Sequence, residues 1–303
     1  MAANTATNPP VRRLIVIGLG LIGGSVALAA KKRGLVGEVF ALNRSADSLQ
    51  FAKDAGIIDQ GFQSIEELLS GTKENDLILL GVPVLAMGPI LKQVQQYLET
   101  DATITDVGST KSNIVELARD AWSGLPSNFV PGHPIAGSEN FGVQAARADL
   151  FEQHRVILTP TGHESHRHLQ RVRDLWTDLG AEVDEMSPEH HDKILAATSH
   201  LPHILAFTLV DQLASMEEQT EVLRYAAGGF RDFSRIAGSD PVMWRDILIA
   251  NRESITARIE EFESHLENLK SALKNSSPEQ IQEIFERAQK TRKGFLHKSD
   301  EKL

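Results

Sequence analysis

Residues 15–25 read Ile-Val-Ile-Gly-Leu-Gly-Leu-Ile-Gly-Gly-Ser. The apolar, β-branched start predicts a buried parallel strand, and the residues after the glycines follow the pattern of a helix. The motif Gly-x-Gly-x-x-Gly lets the chain turn at Gly18, approach a pyrophosphate at Gly20 and pack helix against strand at Gly23. The helix N-terminus adds free N–H groups and a positive dipole end. This strand–turn–helix context predicts a dinucleotide site.

Composition limits the class of protein. The chain has 303 residues, enough for two domains, and is 41% hydrophobic and 24% charged, as in soluble globular proteins. A net charge of −10 disfavours nucleic acid or an anionic membrane as the main partner, and the lack of cysteine excludes disulfides and thiolate chemistry. Residues 1–10 predict a flexible tail, and we expect no apolar run of membrane-spanning length. These features predict a cytoplasmic protein.

Strands and helices alternate through the first part of the chain. After the opening strand, the predicted strands span residues 38–42, 76–82, 102–107, 155–160 and 181–186. The alternation predicts an α/β fold, with a Rossmann-type, doubly wound parallel sheet in residues 11–187. Residues 188–303 show long segments with helical period and predict an all-α domain. Ligands of such sheets bind at the carboxyl ends of the strands.

The end of the second predicted strand indicates the cofactor. Proteins that bind NAD place an acidic residue there to hold the ribose 2′-hydroxyl, but this chain has Asn43-Arg44-Ser45. A guanidinium and a hydroxyl bind a 2′-phosphate, so we predict NADP rather than NAD. The alternative is that Arg44 is a solvated residue that stacks on the adenine. The predicted cofactor-binding residues are Gly18, Leu19, Gly20, Leu21, Ile22, Gly23, Asn43, Arg44, Ser45 and Val82.

Two strand-end loops carry candidate catalytic groups. His133 lies between glycine and proline, where a ring near neutral pH can take or polarise a hydroxyl proton. Ser109, in the loop 106–111, can hydrogen-bond the same hydroxyl. A structural or surface role is the alternative for His133. Lys111 is either functional or the first residue of a solvated helix.

The helical domain contributes histidines. Ser-His-Leu-Pro-His at 199–203 contains a proline that would bend or interrupt the helix, so His200 and His203 need not keep regular helix geometry. Ligand contact is one interpretation, and a core or capping role is the other. No third ligand with matching spacing accompanies the pair, so we predict no metal site.

Arginine is the other group in this domain that can bind an acid. Gly-Gly-Phe-Arg-Asp-Phe-Ser-Arg at 228–235 places two arginines in an acidic chain, and arginine binds carboxylates with two hydrogen bonds. The alternative is a helix N-terminus in which Asp232 pairs with one of these arginines.

An apolar seam runs along the last third of the chain. Its residues are Ile255, Ile259, Phe262, Leu266, Leu269 and Leu273, spaced four and three apart. This spacing suits another helix, either within the chain or in a second copy.

Five motifs together resemble one family. They lie at residues 18–25, 106–109, 132–139, 199–203 and 229–235. In this order they resemble the prephenate and arogenate dehydrogenases of tyrosine biosynthesis, over about residues 12–290. The resemblance implies oxidative decarboxylation of a cyclohexadienol. Hydride passes to the nicotinamide, and the ring carboxylate leaves as carbon dioxide.

The resemblance also implies roles for individual residues. His133 would bind the ring hydroxyl and help to remove its proton, Ser109 would orient that pair, and Arg235 would bind a substrate carboxylate. Further implied roles are pocket lining by His200 and His203, and a gating ionic network of Glu139 and Asp232.

The resemblance leaves the substrate open and implies a homodimer formed through the helical domain. Prephenate carries a keto group where arogenate carries an ammonium, and we expect His203 to suit the keto group better. An arogenate-specific enzyme remains an alternative. The other candidates are a 3-hydroxy acid dehydrogenase, which would use a lysine on a helix as its catalytic base, and a nucleotide-binding sensor without catalysis.

Overall fold

The computed structural model describes residues 9–138 and 140–300. The described chain divides after residue 252 into two compact units, and each is described by itself. Residues 1–8 of the predicted tail lie outside the described residues. The predicted boundary at residue 187, between a sheet domain and a helical domain, stays a prediction.

The first unit contains a parallel sheet of six strands. The strands are β1 (Val11–Ile17), β2 (Val36–Leu42), β3 (Gln60–Phe62), β4 (Leu77–Leu80), β5 (Thr103–Asp106) and β6 (Phe129–Val130). Their order is β3-β2-β1-β4-β5-β6, and every neighbouring pair is parallel. The order reverses between β1 and β4, where this fold forms its ligand crevice. The predicted Rossmann-type fold is confirmed.

Helices follow the strands of this sheet. They are α1 (Leu21–Lys32), α2 (Ala46–Asp54), α3 (Ile65–Leu69), α4 (Met87–Tyr97) and α5 (Ser112–Trp122). Successive β1 side chains point to opposite faces, so Leu14 and Val16 lie in one apolar cluster and Ile15 and Ile17 in another. The apolar run of β1 is therefore buried on both faces, as a central parallel strand requires.

The last three strands form a separate sheet, which differs from the prediction. They are β7 (Gly132–Pro134), β8 (Arg155–Leu158) and β9 (Glu182–Glu185), with α6 (His166–Asp178) between β8 and β9. β7 pairs antiparallel with β8, and β8 pairs parallel with β9. The apolar pattern of residues 155–160 and 181–186 identified strands but carried no information about their partners. His133 consequently lies inside a short strand rather than in a loop.

Helices make up the rest of the first unit. They are α7 (Pro188–Leu195), a π-helical segment (Ala196–His200), α8 (Leu201–Ala214), α9 (Gln219–Arg224), α10 (Gly228–Ser234) and α11 (Pro241–Ala250). The π segment ends just before Pro202, which lies in the first turn of α8, so the helix is interrupted as predicted.

The helical stretch Pro188–Ala214 is long and apolar enough to cross a membrane by length and composition, and the sequence analysis expected no such run. A single helix of this kind is weak evidence for a membrane segment, and His191 and Asp192 of this stretch are bonded to other protein groups.

The second unit consists of two long helices. α12 spans Arg252–Lys274 and begins at the unit boundary, and α13 spans Pro278–Asp300. Between them Ser276 adopts a left-handed conformation, with φ of 48°. The predicted seam lies on α12, where Leu266 and Leu273 are 52% and 60% exposed.

Candidate active site

A cleft of about 400 Å³ opens at the carboxyl ends of the parallel strands. It is lined by the glycine loop, the ends of β4 and β5, strand β7, residues 136–138 and 140–142, and the start of α11. The predicted site residues that line it are Gly20, Leu21, Ile22, Val82, Ser109 and His133. The topology therefore brings predicted cofactor residues and both predicted catalytic residues into one cavity.

The glycine loop has the geometry that a pyrophosphate needs. Gly18 has φ of +99°, and a Cβ there would lie 2.5 Å from the carbonyl oxygen of Gly81. A Cβ on Gly23 would lie 2.8 Å from Cγ1 of Val16, so α1 packs closely on β1. A Cβ on Gly20 would meet no atom within 4 Å. Open space at the N-terminus of α1 suits a bound pyrophosphate, and a dinucleotide therefore fits these residues.

The residues after β2 lie beside this loop. The side-chain amide of Asn43 donates to the carbonyl oxygen of Leu19 at 3.3 Å. Arg44 is exposed, and the Ser45 hydroxyl caps α2 by accepting from the Ser48 N–H at 3.1 Å. Arg44 and Ser45 stand where Rossmann folds hold the adenosine ribose.

An ion pair lies beneath the loop that carries Ser109. Lys111 is fully buried and paired with Asp106, so the alternative of a solvated lysine is wrong. The Asp106 carboxyl also accepts from the N–H of Gly108 at 2.8 Å and of Gly132 at 3.2 Å. These bonds join the end of β5 to the residue that precedes His133.

His133 is bonded to a second histidine. Its Nδ1 lies 2.9 Å from Nε2 of His191, and Nδ1 of His191 lies 2.9 Å from Oδ1 of Asp192. His133 is half-buried, whereas His191 and Asp192 are buried. The three side chains form a chain that runs from the cleft into the protein.

Asp192 also fixes the N-terminus of α5. Its Oδ1 accepts from the Lys111 N–H at 2.8 Å, and its Oδ2 accepts from the Ser112 N–H at 2.9 Å. The side-chain amide of Asn251 donates to the Asp192 carbonyl oxygen at 2.9 Å. One carboxylate thus links α5, α7 and the histidine pair.

The surroundings hold the histidines neutral. Desolvation lowers the pKa of His133 well below its usual value, and the charges of His191, Lys111 and His200 lower it further. Desolvation also lowers the pKa of His191, against the opposing effect of the hydrogen bond that His191 donates to Asp192. Burial would raise the pKa of Asp192, but the hydrogen bond from His191 and the bonds at the start of α5 leave it lowered. The network near neutral pH therefore holds two neutral imidazoles and one carboxylate.

His200 and His203, the other two predicted histidines, are not among the described residues that line this cleft. His200 is buried, and desolvation lowers its pKa to about 4. The Nδ1 of His203 lies 2.8 Å from the Ser199 carbonyl oxygen, and its ring stacks on Trp244 with ring centres 3.7 Å apart. His203 lines a neighbouring pocket of about 340 Å³ with Phe207 and Trp244.

Arg235, the predicted carboxylate-binding residue, and Asp232, one of the two predicted gating residues, lie in or next to α10. Arg235 begins the 3₁₀ turn Arg235–Gly238, and its charge contributes to the lowered pKa of His203, which desolvation causes first. Arg235 is thus close to the pocket of His203. Asp232 is exposed on α10, and Glu139 lies outside the described residues. In the described part of the chain, no group of three or more histidines and carboxylates could hold a metal ion.

Comparison with known proteins identifies the family. Residues 26–185 match the family model of the prephenate dehydrogenase nucleotide-binding domain, and residues 187–287 match that of its dimerization domain. The chain belongs to the prephenate dehydrogenase family. The two matches favour this family over the alternative of a 3-hydroxy acid dehydrogenase.

Individual members of the family are similar over nearly the whole chain. Cyclohexadienyl dehydrogenase from Zymomonas mobilis is 36% identical over 285 residues, which cover 93% of this chain and 95% of that protein. Prephenate dehydrogenase from Lactococcus lactis is 38% identical over 291 residues, 95% of this chain and 79% of that protein.

A solved member of the family has the same fold. The crystal structure of Aquifex aeolicus prephenate dehydrogenase, in complex with hydroxyphenyl propionate and NAD⁺, matches with a TM-score of 0.87 and 36% identity. The match covers 95% of this chain and 100% of that one. The chain is therefore a dehydrogenase of the prephenate or cyclohexadienyl type, which uses a nicotinamide dinucleotide in tyrosine biosynthesis.

Two residues behind the cleft, His191 and Asp192, could have been found from the sequence but were assigned no role there. The signal lay in the spacing, because Pro188, His191, Asp192 and Leu195 form the buried face of α7. Two polar residues on an otherwise apolar helix face indicate partners in the core.

Proposed function

We propose that this chain catalyses oxidative decarboxylation of prephenate to 4-hydroxyphenylpyruvate, with hydride transfer to NADP. The observation that carries the proposal is that His133, neutral and able to accept a proton, lines one cleft with Ser109 and the glycine loop. A cleft of about 400 Å³ suits a small ring acid beside a nicotinamide. A nicotinamide bound there supplies the hydride acceptor.

The residues of the cleft handle the ring hydroxyl. His133 accepts the proton of the ring hydroxyl while hydride leaves the ring carbon that bears this hydroxyl. Ser109 holds the hydroxyl oxygen in place. The carboxylate on the opposite ring carbon leaves as carbon dioxide, and its bonding electrons complete the aromatic ring. His133 then returns the proton to the phenolic oxygen, so the proton balance closes.

We propose NADP rather than NAD as the preferred cofactor. Support comes from the residues after β2, where Arg44 is exposed beside the glycine loop and a carboxylate is replaced by Asn43. A 2′-phosphate at this place would meet a guanidinium and the Ser45 hydroxyl. The related A. aeolicus enzyme was crystallised with NAD⁺, so this preference would distinguish the two chains.

The hydrogen bond of His203 bears on the choice of substrate. The carbonyl oxygen of Ser199 only accepts, so Nδ1 of His203 donates to it and Nε2 of the neutral ring carries a lone pair. Because the pKa of His203 is lowered, chiefly by desolvation, that nitrogen accepts a hydrogen bond at neutral pH. It suits the ammonium of arogenate better than a keto oxygen, contrary to our expectation. We therefore propose arogenate as a second substrate, converted to tyrosine.

Arg235 is proposed to bind a substrate carboxylate. The charge of Arg235 acts on the pKa of His203, so the two side chains are close to each other. We propose that the anionic side chain of the substrate is held between Arg235 and His203. Glu139 and Asp232 remain proposed members of a gating network at the pocket mouth.

We propose that the chain works as a homodimer in the cytoplasm. The second family model is that of a dimerization domain. Large apolar side chains are exposed on both helices of the second unit, including Leu266, Leu273 and Phe285. Sedimentation equilibrium should give twice the chain mass, and the variant Leu266→Asp/Leu273→Asp should shift the protein to monomer. A monomeric wild type would contradict the dimer, and Glu267→Gln on the same helix is the control.

The activity is tested with purified protein and three substrate classes. Prephenate, arogenate and a 3-hydroxy acid are each supplied with NADP or NAD, and reduced cofactor and carbon dioxide are both measured. We expect one reduced cofactor per carbon dioxide with prephenate and with arogenate, and faster turnover with NADP than with NAD. Absence of turnover with both cyclohexadienols would contradict the proposal.

A further inference from the structure

We propose that His191, held by Asp192, sets the tautomer of His133 and stabilises the positive charge that His133 acquires while it holds the substrate proton. His191 and Asp192 are positioning residues in this scheme, and the charge-stabilising part rests on the proposed function. The proposal assigns a role to two buried side chains that lie behind the cleft.

An ionised Asp192 carboxylate has no hydrogen to donate and can only accept hydrogen bonds. Its pKa is lowered, and its two oxygens accept from the Lys111 and Ser112 N–H groups. Nδ1 of His191, 2.9 Å from Oδ1, must therefore carry a hydrogen and donate it. The neutral His191 ring then has its lone pair on Nε2.

The position of the hydrogen on His191 determines its position on His133. Nε2 of His191 can only accept, and it lies 2.9 Å from Nδ1 of His133. That nitrogen must therefore donate, which places the His133 hydrogen on Nδ1 and leaves the lone pair on Nε2. The nitrogen left for the cleft is then the one that can accept a hydroxyl proton.

Charge explains why a second histidine is needed. The charged and titratable groups that act on His133 are His191, Lys111 and His200. Lys111, and either histidine when it is protonated, disfavours a positive ring on His133. Lys111 is paired with Asp106, whose carboxyl also accepts from Gly108 and Gly132. Asp192 is bonded to His133 only through His191. The imidazolium of His133 therefore donates a hydrogen bond to His191, and His191 in turn donates to the carboxylate of Asp192.

The tautomer can be observed directly in the unliganded protein. In protein labelled with ¹⁵N-histidine, ring nitrogen shifts and couplings distinguish protonated from unprotonated nitrogens, and His133→Asn assigns the signal. We expect wild-type His133 to carry its hydrogen on Nδ1, and His191→Phe to move it to Nε2 or to produce a mixture. His191→Gln, which keeps a carbonyl acceptor, should restore the Nδ1 form. His190→Asn, at the exposed neighbouring position, should change nothing.

Kinetics test the second half of the proposal. We expect His191→Phe to lower kcat about 100-fold with KM within threefold, and His191→Gln to recover part of the loss. In the plot of kcat against pH, the acid limb should also shift in both variants but not in His190→Asn.

Two results would overturn the inference. One is hydrogen on Nε2 of His133 in the wild type, and the other is a His191→Phe variant with wild-type tautomer and pH profile. A protein that shows the expected tautomer but turns over no cyclohexadienol would leave the tautomer assignment standing and contradict the proposed function instead.

Discussion

The ammonium group of Lys111 donates to the carbonyl oxygen of Gly132 at 2.7 Å, one residue before His133. Lys111 is also paired with Asp106, and both side chains are fully buried. Since one buried pair holds the ends of β5 and β7 together, the position of His133 depends on an interaction that never reaches the cleft. The proposed catalytic residue, His133, is thus supported by Lys111–Asp106 on one side and by His191–Asp192 on the other.

Replacing Lys111 with methionine should be strongly destabilising. The change leaves the Asp106 carboxyl buried without its cation, which costs about 3–5 kcal/mol of unfolding free energy. Urea denaturation measures the loss, and Lys92→Met, at an exposed position on α4, is the control. A loss below about 1 kcal/mol, the range of ordinary surface substitutions, would show that the pair is dispensable.

Replacing Arg44 with alanine should discriminate between the cofactors. The loss of one charge-assisted bond to a 2′-phosphate should raise KM for NADP about tenfold, equivalent to about 1.4 kcal/mol. KM for NAD should change little. Lys53→Ala, at the other end of α2, controls for surface charge. Equal changes with both cofactors would support the alternative that Arg44 only stacks on the adenine.

Replacing Arg235 with glutamine should weaken substrate binding. Loss of a charge-assisted carboxylate bond is worth about 2 kcal/mol, so we expect KM for prephenate to rise about 30-fold with a smaller change in kcat. Steady-state kinetics measure both constants. Arg231→Gln, on the exposed surface of α10, should leave them within twofold. An unchanged KM in Arg235→Gln would exclude the carboxylate role.

Stability should fall as the solution becomes acidic. His133, His191 and His200 have lowered pKa values in the folded protein, so between pH 6.5 and their folded values the unfolded chain binds more protons. With a folded pKa of about 4, His200 contributes roughly 3 kcal/mol of this loss by pH 4.

Urea denaturation at pH 7.5, 6 and 5 tests this dependence. The midpoint should decrease at each step, and His200→Asn should flatten the decrease. His190→Asn should leave the wild-type slope intact. A midpoint that stays constant from pH 7.5 to 5 would contradict the assignment of neutral, buried histidines.

Local sequence determined much of the fold. The apolar β1 run and its glycines predicted a central parallel strand and the turn at Gly18, and both are observed. The partners of the strand at 155–160 could not be predicted, because apolar alternation is the same in either sheet. The antiparallel pairing of His133 with Ile157 joins segments 24 residues apart, and no short motif records it.

The candidate site, like the fold, could be predicted only in part from local sequence. Ser109 and His133 stood out because polar residues at strand ends face the ligand crevice, and the structure brings them into one cleft. His191 lies 58 residues from His133 along the chain, so its bond to that ring depends on how α7 packs. Lys111 was ambiguous for the same reason, since only the tertiary structure shows Asp106 and Gly132 around its ammonium.

The most direct test of the central claim is the kcat of His133→Asn with prephenate and NADP. The account predicts that kcat falls about 10²- to 10⁴-fold, the usual contribution of a general base, while KM stays within a few-fold of the wild-type value. A variant that turns over prephenate at the wild-type rate would show that His133 does not take the hydroxyl proton.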